Sequence, residues 1–517
     1  VIGALNHGGA AQPRGTYGST TSAAANQHDN YFSGGGMLIV AGDAVKENNQ
    51  DNLDLGSSWV GGAVPGPSGL ATWSNNVVGP NTDLLGSDIG WLGMKILDPG
   101  GLVTINAGNA LSLGYLGVNM ANATQDATIN ANVVITNYGG GGQVWNVGGG
   151  RTLGVAGTIS GSAGLVKTGG GTVALTGTNT FTGPVAVSNG TLRVATLANG
   201  ISPCALGRAS AAAANLTLNG GTLEYTGGSV TIDRMFTVGA SGGAMDITNS
   251  ATTLTINGAG WNLAGTLYKR GPGSLTLSGY YGSTAGAALD VAVEEGQLTF
   301  GSGYWWNYGA TVGNIRIMAT NGATVNFPSS APFGFLVWPA QGTLEQLIIE
   351  KNSTATAGGN LCIINGAYGA EGRVVLRGGR LTGGELHCMY GYTVQTKASD
   401  TNSYISSNFQ INGNNPGQAV TANIEDGIAS PDLQMDGSVW GNVNPFYKTG
   451  AGTMSLNGSL NSASFFVNGG TLLVNAAAAG SATVNAAATL VVNGSVAGSV
   501  TVNAGAAGDP RYRQIGG

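Results

Sequence analysis

One phrase, written three times along the chain, limits the possible folds more than any other feature. It first reads Leu165-Val166-Lys167-Thr168-Gly169-Gly170-Gly171-Thr172-Val173-Ala174-Leu175. It returns as Leu267-Tyr268-Lys269-Arg270-Gly271-Pro272-Gly273-Ser274-Leu275-Thr276-Leu277, and again as Phe446-Tyr447-Lys448-Thr449-Gly450-Ala451-Gly452-Thr453-Met454-Ser455-Leu456. Each copy is followed by a closing phrase: Val187-Ser188-Asn189-Gly190-Thr191-Leu192, Val293-Glu294-Glu295-Gly296-Gln297-Leu298 and Val467-Asn468-Gly469-Gly470-Thr471-Leu472. Apolar residues alternate with small polar ones, and Gly, Asn or Ser bound each run. Period-two alternation between such turns is the signature of strands. Each strand is too short to bury a core alone, so it must stack on copies of itself.

The frame shared by the three copies is two apolar residues, Lys, x, Gly, x, Gly, then alternating apolar positions. It resembles the autotransporter-associated β-strand repeat of large bacterial surface proteins. The resemblance covers the three repeats and includes no catalytic residue. It implies an all-β, right-handed parallel β-helix (β-solenoid) located outside the cell or on its surface.

Composition fits that reading. Gly accounts for 92 of 517 residues and charged residues for 9%. Without a three-residue period this is not collagen, and regular apolar alternation argues against disorder. A solenoid needs frequent turns where Gly or Asn tolerates positive φ. The net charge of −6 is spread thinly, and no basic stripe points to nucleic acid. No stretch approaches the roughly 20 apolar residues of a membrane-spanning helix. The opening residues do not read as a signal peptide and lack an initiator Met, so the expectation is a mature or excised piece of a longer precursor. Coils of about 20–25 residues, stacked about 4.8 Å apart, would give a rod on the order of 100 Å.

The expected organisation is an N-terminal arm or cap at 1–40, β-helix over 41–279, irregular aromatic-rich coils at 280–340, β-helix again over 341–508, and a tail at 509–517. Short strands are expected at 103–105, 110–113, 127–129, 133–135 and 144–147. The polar stretch 400–415 reads as a long loop. Val precedes Asn at Asn468, Asn475, Asn485, Asn493 and Asn503. This predicts amide ladders at equivalent corners of successive coils.

Candidate sites are few. Asp43, Glu47, Asp51 and Asp54 form the densest acidic patch. A calcium site is one reading, but the loop spacing of known calcium motifs is missing and a solvated loop fits better. Cys362 and Cys388 lie about one coil apart and could form a disulfide; buried thiols are the simpler reading. Asp233 and Arg234 suggest the acid and base of a β-helix polysaccharide lyase, yet strand neighbours point to opposite sides, so a structural turn is favoured. Glu385 and His387 lie close together without a second His for a metal set. Tyr304, Trp305, Trp306, Tyr308 and Trp338 are candidate glycan or protein contacts, unless they pack in a widened core. Tyr17, Tyr31 and Phe32 near the start, and Arg511, Tyr512 and Arg513 near the end, are candidate contacts between subunits. No nucleophile elbow, phosphate loop or zinc spacing occurs. The leading expectation is therefore a non-enzymatic extracellular rod assembling head-to-tail with its own copies. An adhesin binding glycan or protein through 280–340 is the alternative, and a lyase ranks third.

Overall fold

The computed structural model describes the whole chain except residues 1, 3, 14, 23, 41, 137–141, 259, 279–288, 302–314, 328–334, 338–346, 364–371, 389–391, 412–418, 442–444, 504–510 and 515–517. For 39, 289, 315, 335–337, 360, 362–363, 372, 387–388, 392, 411 and 511–514 only the backbone is described. The fold is the expected parallel β-solenoid. Among the described residues its helical content is three short 3-10 turns at Gly56–Ser58, Val60–Gly62 and Ala213–Asn215. Among the described residues no helix is long and apolar enough to cross a membrane. The chain forms two compact units, Val1–Asp246 and Ile247–Gly517.

In the first unit, the opening residues form a small sheet. Strand Gly15–Gly18 pairs antiparallel with Met37–Val40 and parallel with Asn26–Gln27. Strand Gly42–Val45 then pairs parallel with Gly69–Trp73, which pairs with Ile89–Ile96. Above this base, inward positions align in register. One core column is Val103, Ala127, Leu153, Val173, Leu192 and Leu223, and beside it runs Ile105, Ile129, Val155, Leu175, Val194 and Tyr225. All are buried. A fully buried Val, Leu or Ile is worth about 1.5–3 kcal/mol, and here each is realised only by contact with the coil above or below.

The second unit repeats the device. Leu254, Leu275, Leu298, Val325, Ala355, Leu381, Ile405, Met435, Leu456, Val474 and Val492 occupy one register column. Phe300 and Phe327 stack there with centroids 5.7 Å apart. Outward charges also align: Asp290 pairs with Arg316 at 2.8 Å and Glu350 with Arg377 at 2.9 Å, each between register partners of neighbouring coils. Such half-exposed pairs contribute about 0.2–1 kcal/mol each.

Coil length varies more than the expected 20–25 residues. Register partners Arg193 and Glu224 are 31 residues apart, whereas the ladder partners Asn475 and Asn493 are 18 apart. The long coil carries the excursion between 195 and 215; the short coils have Ala and Val cores and minimal corners.

The predicted amide ladders are present. Asn493 donates to Asn475 Oδ1 (2.6 Å), Asn475 to Asn457 Oδ1 (2.7 Å), and Asn457 to Asp436 Oδ1 (2.6 Å). A second ladder runs from Asn503 to Asn485 and from Asn485 to Asn468.

Two segments differ from expectation. Up to residue 411 the stretch 400–415 is not a loop leaving the stack, and its residues 412–415 lie outside the described ones: Ser403–Ile405 and Asn408–Ile411 are coil strands, registered on Leu433–Met435 and Val439–Trp440. Ser403 and Ser407 are buried in the stack while Asn408 is exposed, so polarity did not mean exclusion from the sheet. After Pro510, the strand Arg511–Gln514 resumes pairing with Thr489–Val492.

Candidate functional site: buried lysines at the coil corners

The repeat phrase places its lysine at an inward position. Lys167 is the register partner of Trp145 on one side and Val187 on the other; Lys269 pairs with Val293, and Lys448 with Val467. All three lysines are 0% exposed. Their aliphatic stems join the apolar stack, and their ammonium groups reach the corner at its edge.

There each ammonium meets the same three acceptors. Lys167 Nζ donates to the carbonyls of Thr168 (2.7 Å), Gly169 (2.7 Å) and Asn189 (3.1 Å). Lys269 donates to Arg270, Gly271 (2.6 Å) and Glu295 (3.1 Å), and Lys448 to Thr449, Gly450 and Gly469, all at 2.9 Å. The first two carbonyls belong to the turn just after the lysine. The third belongs to the closing phrase, one coil further on. Each lysine thus ties two consecutive corners together, and an ammonium's three protons match three carbonyls.

This geometry accounts for the glycines of the phrase. Gly169, Gly271 and Gly450 have φ of 73°, 71° and 76°, which turns their carbonyls toward the ammonium. At Gly171, Gly273 and Gly452 a Cβ would lie within 2.5 Å of a backbone oxygen of the preceding coil. The lysine and both glycines are therefore one device. Burial pushes Lys167 and Lys448 down to about 8, which leaves them protonated at neutral pH, as the three acceptors require.

Lys46, outside the repeats, has a related environment. Its Nζ donates to Glu47 O (3.1 Å), Asn49 O (2.8 Å) and Asn49 Oδ1 (2.8 Å) and lies 3.5 Å from Asp83 Oδ1, with both side chains 0% exposed. Trp59, whose backbone bridges to Lys46, packs edge-to-face with Trp73 and Trp91, and the three ring centroids are 5.8–6.0 Å apart. Burial lowers Lys46 and raises Asp83 to about 6, each partly opposed by the other. In the sequence these two residues lie in separate stretches, and nothing in either stretch signals the pair.

The residues expected to form sites are placed as follows. Asp43 and Asp51 are exposed and Glu47 and Asp54 half-buried; no group of three or more His, Cys, Asp or Glu is gathered for a metal ion among the described residues. Arg234 is buried and donates to the carbonyls of Ala198, Ser202 and Gly207, while Asp233 Oδ1 accepts from Gly200 N–H. The two hold the 195–215 excursion in place, as the structural reading expected. Tyr17 is not an exposed contact: it is 1% exposed, and its hydroxyl donates to Pro13 O within the opening sheet. Tyr31 is 55% exposed and lies 4.6 Å from His7 between ring centroids; Phe32 is half-buried. Arg511, Tyr512 and Arg513 lie in a paired strand, and their side chains fall outside the described residues. Tyr304, Trp305, Trp306, Tyr308 and Trp338 also fall outside them. The register sets Cys362 against His387, one position before Cys388, and the side chains of all three fall outside the description too. Cys204 is buried as a free thiol. Glu385 is registered between Asn360 and Asn408.

Comparison with known proteins gives the repeat its name. The passenger-associated-transport-repeat family matches residues 165–194 and 446–474, the first and third copies of the phrase. A stretch of 206 residues is 35% identical to the adhesin BmaC autotransporter of Brucella suis biovar 1 (strain 1330), covering 36% of this chain and 6% of that protein. No solved structure matches the chain. The chain thus carries passenger-associated-transport repeats, set in a parallel β-solenoid whose corners their lysines tie together.

Proposed function

We propose that this chain is a structural, non-enzymatic segment of a surface-exposed passenger-type protein, working as a stacked scaffold outside the cell. One observation carries this reading: the charged groups offered by the motifs are consumed by the backbone. The ammonium groups of the three repeats and the Arg234 guanidinium all end on carbonyl oxygens of turns, which fits cohesion between coils rather than turnover of a substrate. The similarity to an autotransporter adhesin supports a place on the cell surface. In the finer form of this proposal, copies associate head-to-tail, with Tyr31 and Phe32 on one side of the contact and Arg511, Tyr512 and Arg513 on the other. Heterologous contacts of that kind propagate into filaments.

Two measurements test it. Protease treatment of intact source cells is expected to release fragments of the chain; full protection in intact cells with cleavage after lysis would overturn the surface location. Electron microscopy of the purified chain is expected to show filaments that vanish when Tyr31, Phe32, Arg511, Tyr512 and Arg513 are replaced by Ser. Single particles in both samples would overturn the assembly. The adhesin reading is favoured by the relative's name and by the aromatic segment 280–340. Glycan-array binding lost on Trp305→Ala and Trp306→Ala substitution would support it.

A further inference from the structure

At Lys46, unlike at the lysines of the repeats, a carboxylate lies within ion-pair distance of the buried ammonium. Nζ lies 3.5 Å from Oδ1 with both side chains fully enclosed. No donor makes a well-formed hydrogen bond to either oxygen of Asp83 among the described residues, although Lys46, Trp73 and Asn81 lie close to it. The nearest polar groups are committed elsewhere: Trp73 Nε1 donates to Asn81 Oδ1 (2.9 Å), and Asn81 Nδ2 donates to Asn49 O (2.8 Å). A buried carboxylate with no donor is costly and calls for an explanation.

We infer that Lys46 and Asp83 form an intramolecular isopeptide bond, an amide between Nζ and Cγ that staples the first coils together. The bond needs no other reactant. One ammonium proton passes to the carboxylate, giving a neutral amine and a carboxylic acid. The amine nitrogen attacks Cγ, the C–N bond forms, the Cγ–OH bond breaks, and one water leaves. The site favours each stage. The amine and the acid are held side by side, which removes the entropic cost of a bimolecular condensation. Burial disfavours both ions and so promotes the neutral forms that react. Full enclosure of both side chains excludes the water that would hydrolyse the product. The amide also removes the two buried charges, and its one remaining N–H stays beside the acceptors of Asn49.

Geometry gives the bond a mechanical role. Lys46 follows the strand Gly42–Val45, and Asp83 ends the strand Asn81–Asp83, the register partner of Val103–Ile105. The bond would close a covalent loop around the base of the stack, where the core columns begin. Such a cross-link restricts the unfolded chain as a disulfide does.

Intact-mass measurement of the purified, denatured full chain decides the matter. The wild type is expected to be one water lighter than its sequence requires. Digestion and tandem mass spectrometry should recover a branched peptide joining the segments that contain Lys46 and Asp83. Lys46→Met and Asp83→Ala variants should regain the full mass. A wild-type chain of full mass, with Lys46 open to an amine-reactive label after denaturation, would overturn the inference without any variant having to fold. A lost water located elsewhere in the chain would overturn it as well.

Discussion

Replacing Lys167 by Met removes an ammonium and keeps an unbranched, apolar side chain of similar reach. The stem between Trp145 and Val187 stays filled, so cavity formation contributes little. What is lost is the donor to Thr168 O, Gly169 O and Asn189 O. An orphaned buried carbonyl costs about 1–3 kcal/mol. Relief from burying a charge offsets part of this, since that penalty amounts to several kcal/mol per ion. Taking the lower figure for each of three carbonyls gives a net loss of about 3 kcal/mol. In a solenoid that loss falls on the two coils joined by the lysine and not on the whole chain. A melting curve is therefore a poor readout, and amide hydrogen exchange is the right one. The amide of Ser188 is bonded to Lys167 O and that of Thr191 to Gly171 O, both between the coils concerned. Their exchange should accelerate on the order of 100-fold, because about 1.4 kcal/mol corresponds to a factor of ten. Half-buried Lys95 serves as the control: Lys95→Met should leave the same amides unchanged. If Ser188 and Thr191 exchange within about threefold of wild type in Lys167→Met, the ammonium is not holding the corners and the account of the repeat fails.

Further outcomes follow from the same geometry. Lys167 and Lys448 are lowered to about 8 in the folded chain and return to the ordinary lysine range when it unfolds, so between pH 8 and about 10 the unfolded state binds more protons. Their contribution to stability should rise with pH across that window, and the ratio of Ser188 amide exchange rates between Lys167→Met and wild type should widen; a ratio that narrows would contradict it. Asn475 both donates and accepts in its ladder, so Asn475→Ala should cost about 1–2 kcal/mol locally. Faster amide exchange confined to 453–492 would show this, and exchange unchanged there would refute it. Arg234→Leu should free the 195–215 excursion and make the exposed Arg208 a rapid trypsin site, whereas an uncut chain would show that the guanidinium is not what holds it. Arg316→Ala should shift stability by less than about 1 kcal/mol, as expected for a half-exposed pair with Asp290; a larger loss would mean that surface pairs contribute to cohesion between coils.

Much of the fold was legible because its rules are local. Alternation at Val173 and Leu175 fixes which side of a strand faces the core, since side chains in a strand alternate by two. Val-Asn at successive corners predicted the ladders because one coil's corner repeats in the next. The Lys-x-Gly-x-Gly frame could be seen as a unit, yet its physical meaning could not. The third acceptor of each lysine lies in the closing phrase, and only stacking brings that phrase to the ammonium.

By itself, then, the sequence determined the class of fold, the inward face of each strand and the position of the repeats. Tertiary structure decided what depends on contacts between coils whose length varies from 17 to 31 residues. Unequal coils conceal which distant residues become neighbours. Tyr17 was buried, Arg234 was assigned to three carbonyls, the tail after Pro510 returned to the sheet, and Lys46 met Asp83. Periodicity sets which side a residue faces, whereas only the completed register sets what it touches there.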